Sequence, residues 1–294
     1  MNYIIFPVEY STSNLGEGAI WDAKRQCIYW VDITGFKLNQ YIPTQGLVHS
    51  FDLEQYISAV VPTKSGKLLV ALHHGLAWFD LEKKNIKYFH TYSKNENGNR
   101  SNDGKCDLVG RFWIGTKNLK DQPNKAALYC LYTDMSVSLK LNGISNSNGI
   151  CWSVDGTKMY YIDTPTLQVQ VFDYEMSTGT LSNKKICIEI DEKQGWPDGM
   201  IIDEEGMLWI AHWGGWQVAR WNPNTGEKIF HIQLPVSQPT SCVFGGENLD
   251  ELYITTAKEG LSNLDLMQQP WAGKLLVCKN LDIKGLPGNE FNDK

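Results

Sequence analysis

A short strand-like segment recurs six times at nearly even spacing, and this recurrence constrains the fold of the 294-residue chain more than any other feature. The copies are CIYWVD at 27–32, KLLVAL at 67–72, RFWIGT at 111–116, KMYYID at 158–163, MLWIAH at 207–212 and ELYITT at 251–256. Between Tyr29, Leu69, Trp113, Tyr160, Trp209 and Tyr253 the steps are 40, 44, 47, 49 and 44 residues. A unit of about 40–50 residues suits one four-stranded propeller blade.

The remainder of each unit fits that plan. A further strand follows the anchor segment, as in LAWFDLEKK (76–84), ALYCLYTD (127–134) and VARWNPNTG (218–226). Several end in Asp or Asn and a polar turn, where Gly and Asn accept the positive φ of tight hairpins. WSVDGTK (152–158) and IDEEGML (202–208) read as strand, turn, strand ahead of their anchors. The expected architecture is therefore all-β: one six-bladed β-propeller domain of four-stranded antiparallel blades over residues 1–294. A propeller must close its ring, because open sheet edges are a liability. The N-terminal YIIFPVEY (3–10) is the expected closing strand, beside KLLVCKN (274–280).

A net charge of −6 supplies no basic footprint for nucleic acid or an anionic membrane, so neither partner is expected. No run approaches the roughly 18 apolar residues of a membrane helix. The first residues carry no basic segment followed by a long apolar stretch, so no secretory signal is evident and a cytoplasmic location is expected. Seven cysteines without a Cys-x-x-Cys pair read as buried free thiols in a reducing compartment. In that setting the sequon Asn99-Arg100-Ser101 is incidental.

In a propeller, residues remote in sequence converge at one mouth of the channel, so polar residues ahead of blade strands carry the chemistry. Four segments stand out: LGEGAIW (15–21) with Glu17, NRSNDGKCD (99–107) with Arg100 and Asn102, SNGICW (147–152) with Asn148, and GWPDGM (195–200) with Asp198. Taken singly, each is an ordinary turn. Taken together, Glu17, Asn148 and Asp198 each precede a strand of a different unit, and each is followed by Gly. Two carboxylates and one amide form an all-oxygen donor set suited to one divalent ion: Ca²⁺, Mg²⁺, Mn²⁺ or Zn²⁺, and not a thiolate-selected metal. No His-x-x-His or Gly-x-Ser-x-Gly spacing competes. His73 and His74, as strand neighbours, would point to opposite faces. His212 occupies what reads as the innermost-strand position of its unit, with a core or stacking role.

The longer motifs resemble the senescence marker protein/regucalcin/gluconolactonase family. LGEGAIW (15–21), RSNDGKCDLVGRFWIGT (100–116), SNGICWSVDG (147–156) and PDGMIIDEEGMLW (197–209) carry the likeness, in order, over nearly the full length. The resemblance implies a metal held by Glu17, Asn148 and Asp198, and Asn102 near that metal. It implies Arg100 on substrate oxygens and hydrolysis of a small-molecule sugar lactone, an aldonolactone such as gluconolactone. Asp198 would serve as ligand and base together. Family lactonases from animals carry acidic residues after the GT of this motif, whereas KNLKDQPNK (117–125) has no Glu and a positive balance. Two alternatives stand beside the lactonase expectation: a calcium-binding regulatory protein without catalysis, and a hydrolase of other esters or phosphotriesters on the same metal site.

Overall fold

The structure is a computed structural model in which residues 3–92 and 98–294 are described. These residues form six four-stranded antiparallel sheets, the blades of a six-bladed β-propeller, with almost no helix. The innermost strands are β2 (Gly16–Asp22), β6 (Ile57–Pro62), β10 (Asn99–Cys106), β14 (Ser147–Trp152), β18 (Trp196–Ile202) and β22 (Pro239–Gly245). They pack on one another around the channel. The second strands are β3 (Cys27–Asp32), β7 (Leu68–Leu72), β11 (Phe112–Asn118), β15 (Lys158–Asp163), β19 (Leu208–Trp213) and β23 (Glu251–Thr256).

The recurring segments of the sequence are these second strands. Neighbouring blades cover them on both faces: every residue of β3 and of β7 is buried. A strand buried on both sides becomes a near-continuous apolar run. Outer strands such as β5 (Leu47–Asp52) and β17 (Thr180–Glu189) are mostly exposed. Indole rings of Trp30, Trp113 and Trp209 sit fully buried between blades.

A repeated acidic anchor ties the strands within a blade together. Oδ2 of Asp107 accepts from Arg111 Nε at 2.7 Å and from Trp113 Nε1 at 3.0 Å. Oδ2 of Asp203 accepts from Trp209 Nε1 at 2.9 Å and Arg220 Nε at 2.7 Å. Both carboxylates are fully buried, so these bonds are what makes their burial tolerable.

The sixth blade closes the ring as expected: β1 (Ile4–Pro7) pairs antiparallel with β24 (Leu276–Lys279). The C-terminal residues cross the far end of the channel. Phe291 is wholly buried there, and the amides of Phe291 and Asn292 donate to Pro62 O and Gly110 O, each at 2.9 Å. Among the described residues no helix is long and apolar enough to cross a membrane. None of the seven cysteines forms a disulfide; six are buried and Cys187, on the outer strand β17, is half-buried.

His212 departs from its expected position. It lies on β19, the second strand, because the channel is lined by β18 instead. Its ring is fully buried and stacks on Trp221 at 5.9 Å between centroids, which is the stacking role expected of it. The two adjacent histidines also differ from expectation. They sit in the turn after β7, so their rings meet at 4.7 Å instead of pointing apart.

Candidate functional site at the channel mouth

One extra residue in each innermost strand shapes the site. In all six blades the pairing of the innermost strand with the second slips by one residue near the mouth. The slips fall between Glu17 and Ile20, Ser101 and Gly104, Asn148 and Ile150, and Pro197 and Met200 in the four blades that matter here. A bulge re-aims the side chains around it. The chemistry-bearing residues thus lie within the innermost strands, beside bulges, and not in loops that precede them.

The structure brings together all five residues singled out by sequence. Glu17 on β2, Arg100 and Asn102 on β10, Asn148 on β14 and Asp198 on β18 are all buried, each at most 7% exposed. The amide of Asn102 bridges two blades: its Nδ2 donates to Asn148 Oδ1 at 2.8 Å and to Ser147 O at 2.8 Å. Its Oδ1 accepts from Arg100 Nη1 at 2.6 Å. Asn148 is fixed from behind, where its Nδ2 donates to Thr164 Oγ1 at 2.7 Å and that hydroxyl donates to Pro197 O at 2.8 Å. The whole chain of donors runs one way. It leaves the Asn148 oxygen, with a second lone pair, directed at the interior of the site.

Glu17 and Asp198, on blades remote in sequence, are close enough for the charge of Glu17 to act on Asp198. Burial raises both well above the usual carboxylate range. Asp103 adds to the effect on Glu17, as do Glu17 and then Asp103 on Asp198. Asp198 Oδ1 is buried and has no hydrogen-bond partner among the described residues. A buried carboxylate oxygen without a partner is costly and calls for a cation or a proton. Among the described residues no cluster of three or more His, Cys, Asp or Glu side chains is poised around an ion. Any cation here must therefore be completed by an amide oxygen, and Asn148 supplies one. Two mutually repelling buried carboxyls, an orphaned oxygen and an amide oxygen fit a hard dication.

The glycines after the site residues have distinct reasons. Gly18 has φ +59°, in the left-handed region. Gly149 has ordinary dihedrals but no room: a Cβ there would lie 2.7 Å from Asp198 O and 2.8 Å from Met200 Cβ. This close approach is what sets Asn148 beside Asp198.

Asp103 and Thr164 were missed by sequence reasoning. Asp103 is 9% exposed and its carboxyl is raised by burial, yet Asn-Asp-Gly reads as a turn. The bulge directs consecutive residues inward, and no strand alternation reports it. Nothing in the sequence marks Thr164. Deeper in the channel Lys105 Nζ donates to Met200 O at 2.6 Å, linking β10 to β18.

Residues 15–258 match the family model described as SMP-30/Gluconolactonase/LRE-like region. The chain is 37% identical over 277 residues to regucalcin of Danio rerio, covering 94% of each sequence. It is 34% identical over 265 residues to the Bacillus subtilis protein carrying the name sugar lactone lactonase YvrE, covering 90% of this chain and 91% of that protein. A solved structure from Agrobacterium tumefaciens, titled as a calcium-binding protein, regucalcin, superposes with a TM-score of 0.92 at 27% identity. That likeness covers 97% of this chain and 96% of the other.

Proposed function

The chain belongs to the SMP-30/gluconolactonase/LRE-like family, and on that premise we propose that it hydrolyses a sugar lactone at this channel mouth with one divalent metal held by Glu17, Asn148 and Asp198. The observation that carries the reading is the buried Asp198 Oδ1, which has no partner among the described residues, in a site that also holds the buried Glu17 carboxylate and the Asn148 amide. Bound there, a dication supplies Lewis-acid polarisation of an ester carbonyl. An all-oxygen set admits Ca²⁺, Mg²⁺, Mn²⁺ and Zn²⁺.

The remaining steps belong to the chain itself. Asp198 takes a proton from the attacking water as the water oxygen bonds to the lactone carbonyl carbon. The ring carbon–oxygen bond then breaks, and the departing alkoxide receives the proton, giving the open hydroxy acid. Arg100 donates to sugar oxygens, while Asn102, already holding Asn148, fixes the geometry in which they are presented. Glu17 contributes charge and position.

A second reading rests on the Agrobacterium relative, whose title states calcium binding and no reaction. Here the same residues would hold an ion without turnover.

Proton release from a panel of aldonolactones separates the two, using metal-stripped protein with each ion restored and spontaneous hydrolysis subtracted. Ion-dependent turnover that disappears in Glu17→Ala supports the lactonase. Ion binding with no turnover of any lactone supports the second reading.

A further inference from the structure

Arg100 and Lys117 are direct partners across the β10–β11 pair. Directly opposed residues on antiparallel strands share a face, so Lys117 stands on the same face as Arg100 and Asn102, at the mouth. The next residue, Asn118, occupies the opposite face and is 6% exposed. Its Nδ2 donates to Gly98 O and Asn99 Oδ1, each at 2.9 Å, while its Oδ1 accepts from Lys120 N at 3.0 Å and Gln122 N at 3.2 Å. The backbone of Lys117 is further held by a bridge to Asn146, whose side-chain oxygen accepts from Asn102 Nδ2 at 3.2 Å. Lys117 is therefore anchored on both sides to the residues that build the site.

Among the described residues neither cation has a buried carboxylate partner. Arg100 is 7% exposed and spends Nη1 on Ser101 O and Asn102 Oδ1. Among the described residues its guanidinium has no carboxylate within ion-pair distance, so Nε and Nη2 are left for a ligand. Burial disfavours its charge, which Glu17, Glu259 and Asp121 offset only in part from farther away. Lys117 Nζ pairs with Asp121 Oδ1 at 3.0 Å, but the Asp121 side chain is 75% exposed, and such a pair is weak and easily exchanged.

We infer that the lactone taken by this chain carries an anionic group, a carboxylate or a phosphate, at the end away from its ring carbonyl, and that Lys117 with Arg100 binds it. The inference rests on the lactonase reading and narrows it to a substrate class. An anion displaces Asp121 from Lys117 and meets the free edge of the guanidinium, a geometry suited to either oxyanion. Lys117 thereby acts as the specificity residue, and the ring stays over the carboxyl pair.

The test compares kcat/KM of metal-loaded protein for glucaro-1,4-lactone (carboxylate), 6-phosphogluconolactone (phosphate) and neutral glucono-1,5-lactone. The expected result is a preference of about tenfold or more for at least one anionic lactone, carried by KM, and the favoured arm identifies the group. Lys117→Met should cut that ratio about tenfold and Lys117→Glu should reverse it, whereas Lys185→Met, on the outer strand β17, should leave it unchanged. The ratio should also fall as ionic strength rises, since a half-exposed cation is screened. A preference for the neutral lactone, or a ratio indifferent to Lys117→Glu, overturns the inference. If no lactone is turned over, the lactonase reading fails separately, and titration with glucarate and gluconate decides instead. Tighter binding of the dianion, weakened in Lys117→Met, upholds the inference, and equal affinities overturn it.

Discussion

Asn102 on the third blade donates its side-chain amide to the Asn148 oxygen on the fourth, at 2.8 Å, while accepting from Arg100 at 2.6 Å. One amide thus orients both a candidate ion ligand and a candidate substrate-binding cation. Removing it leaves three buried partners, Asn148 Oδ1, Ser147 O and Arg100 Nη1, each short of a hydrogen bond, at a cost of about 1–3 kcal/mol for each group left unsatisfied. Asn102→Ala should lower stability by about that amount in denaturant unfolding. It should also lower kcat/KM by about a hundredfold, the scale seen when a positioned polar group is lost. Lost activity at unchanged stability would separate the two roles.

Gly149 tests whether spacing between blades matters as much as the side chains themselves. A methyl group there meets the β18 backbone at 2.7 Å, so β14 and β18 must separate. Gly149→Ala should weaken ion binding in calorimetric titration and reduce turnover, although every polar side chain remains. Unaltered ion affinity would show that the site tolerates the shift.

His212 makes a pH prediction. Its Nδ1 lies 3.1 Å from Gln194 O, and Trp221 Nε1 donates to its Nε2 at 3.3 Å, an arrangement that requires a neutral ring with the proton on Nδ1. Burial lowers its pKa from 6.5 to about 4. The folded state therefore binds fewer protons than the unfolded state between those values. Stability present above pH 6.5 is lost as pH falls through 4, by about 3 kcal/mol in total. His212→Asn, which keeps a donor to Gln194 O, should flatten the dependence of unfolding free energy on pH across this window.

Asp203 carries no chemistry but holds the fifth blade. Its carboxylate is fully buried and accepts from Trp209, Arg220 and two backbone amides. Asp203→Ala should destabilise by about 3–5 kcal/mol, because Arg220 is left as a largely buried cation. Chemical unfolding measures this directly. A loss below about 1 kcal/mol would mean that Glu205, the other partner of Arg220, suffices.

Sequence alone determined the blade count, the strand class and the segment that closes the ring. Second strands such as β3 and β7 are covered on both faces, so they appear as apolar runs whose spacing can be counted. It also marked Glu17, Asn148 and Asp198, each a polar residue followed by Gly ahead of an apolar strand, while Arg100 and Asn102 were marked by the resemblance of their motif to the family. Only tertiary structure decided how these residues meet. Bulges are offsets between two strands and exist in neither one alone, so the inward turn of Asp103 beside Asn102 could not be read from alternation. Cross-strand register likewise decided that Lys117, seventeen residues on, stands beside Arg100, and that His212 faces Trp221 and not the channel. The pattern along a strand reports which face is covered. What covers it, and which distant residue shares that face, depends on the closed ring.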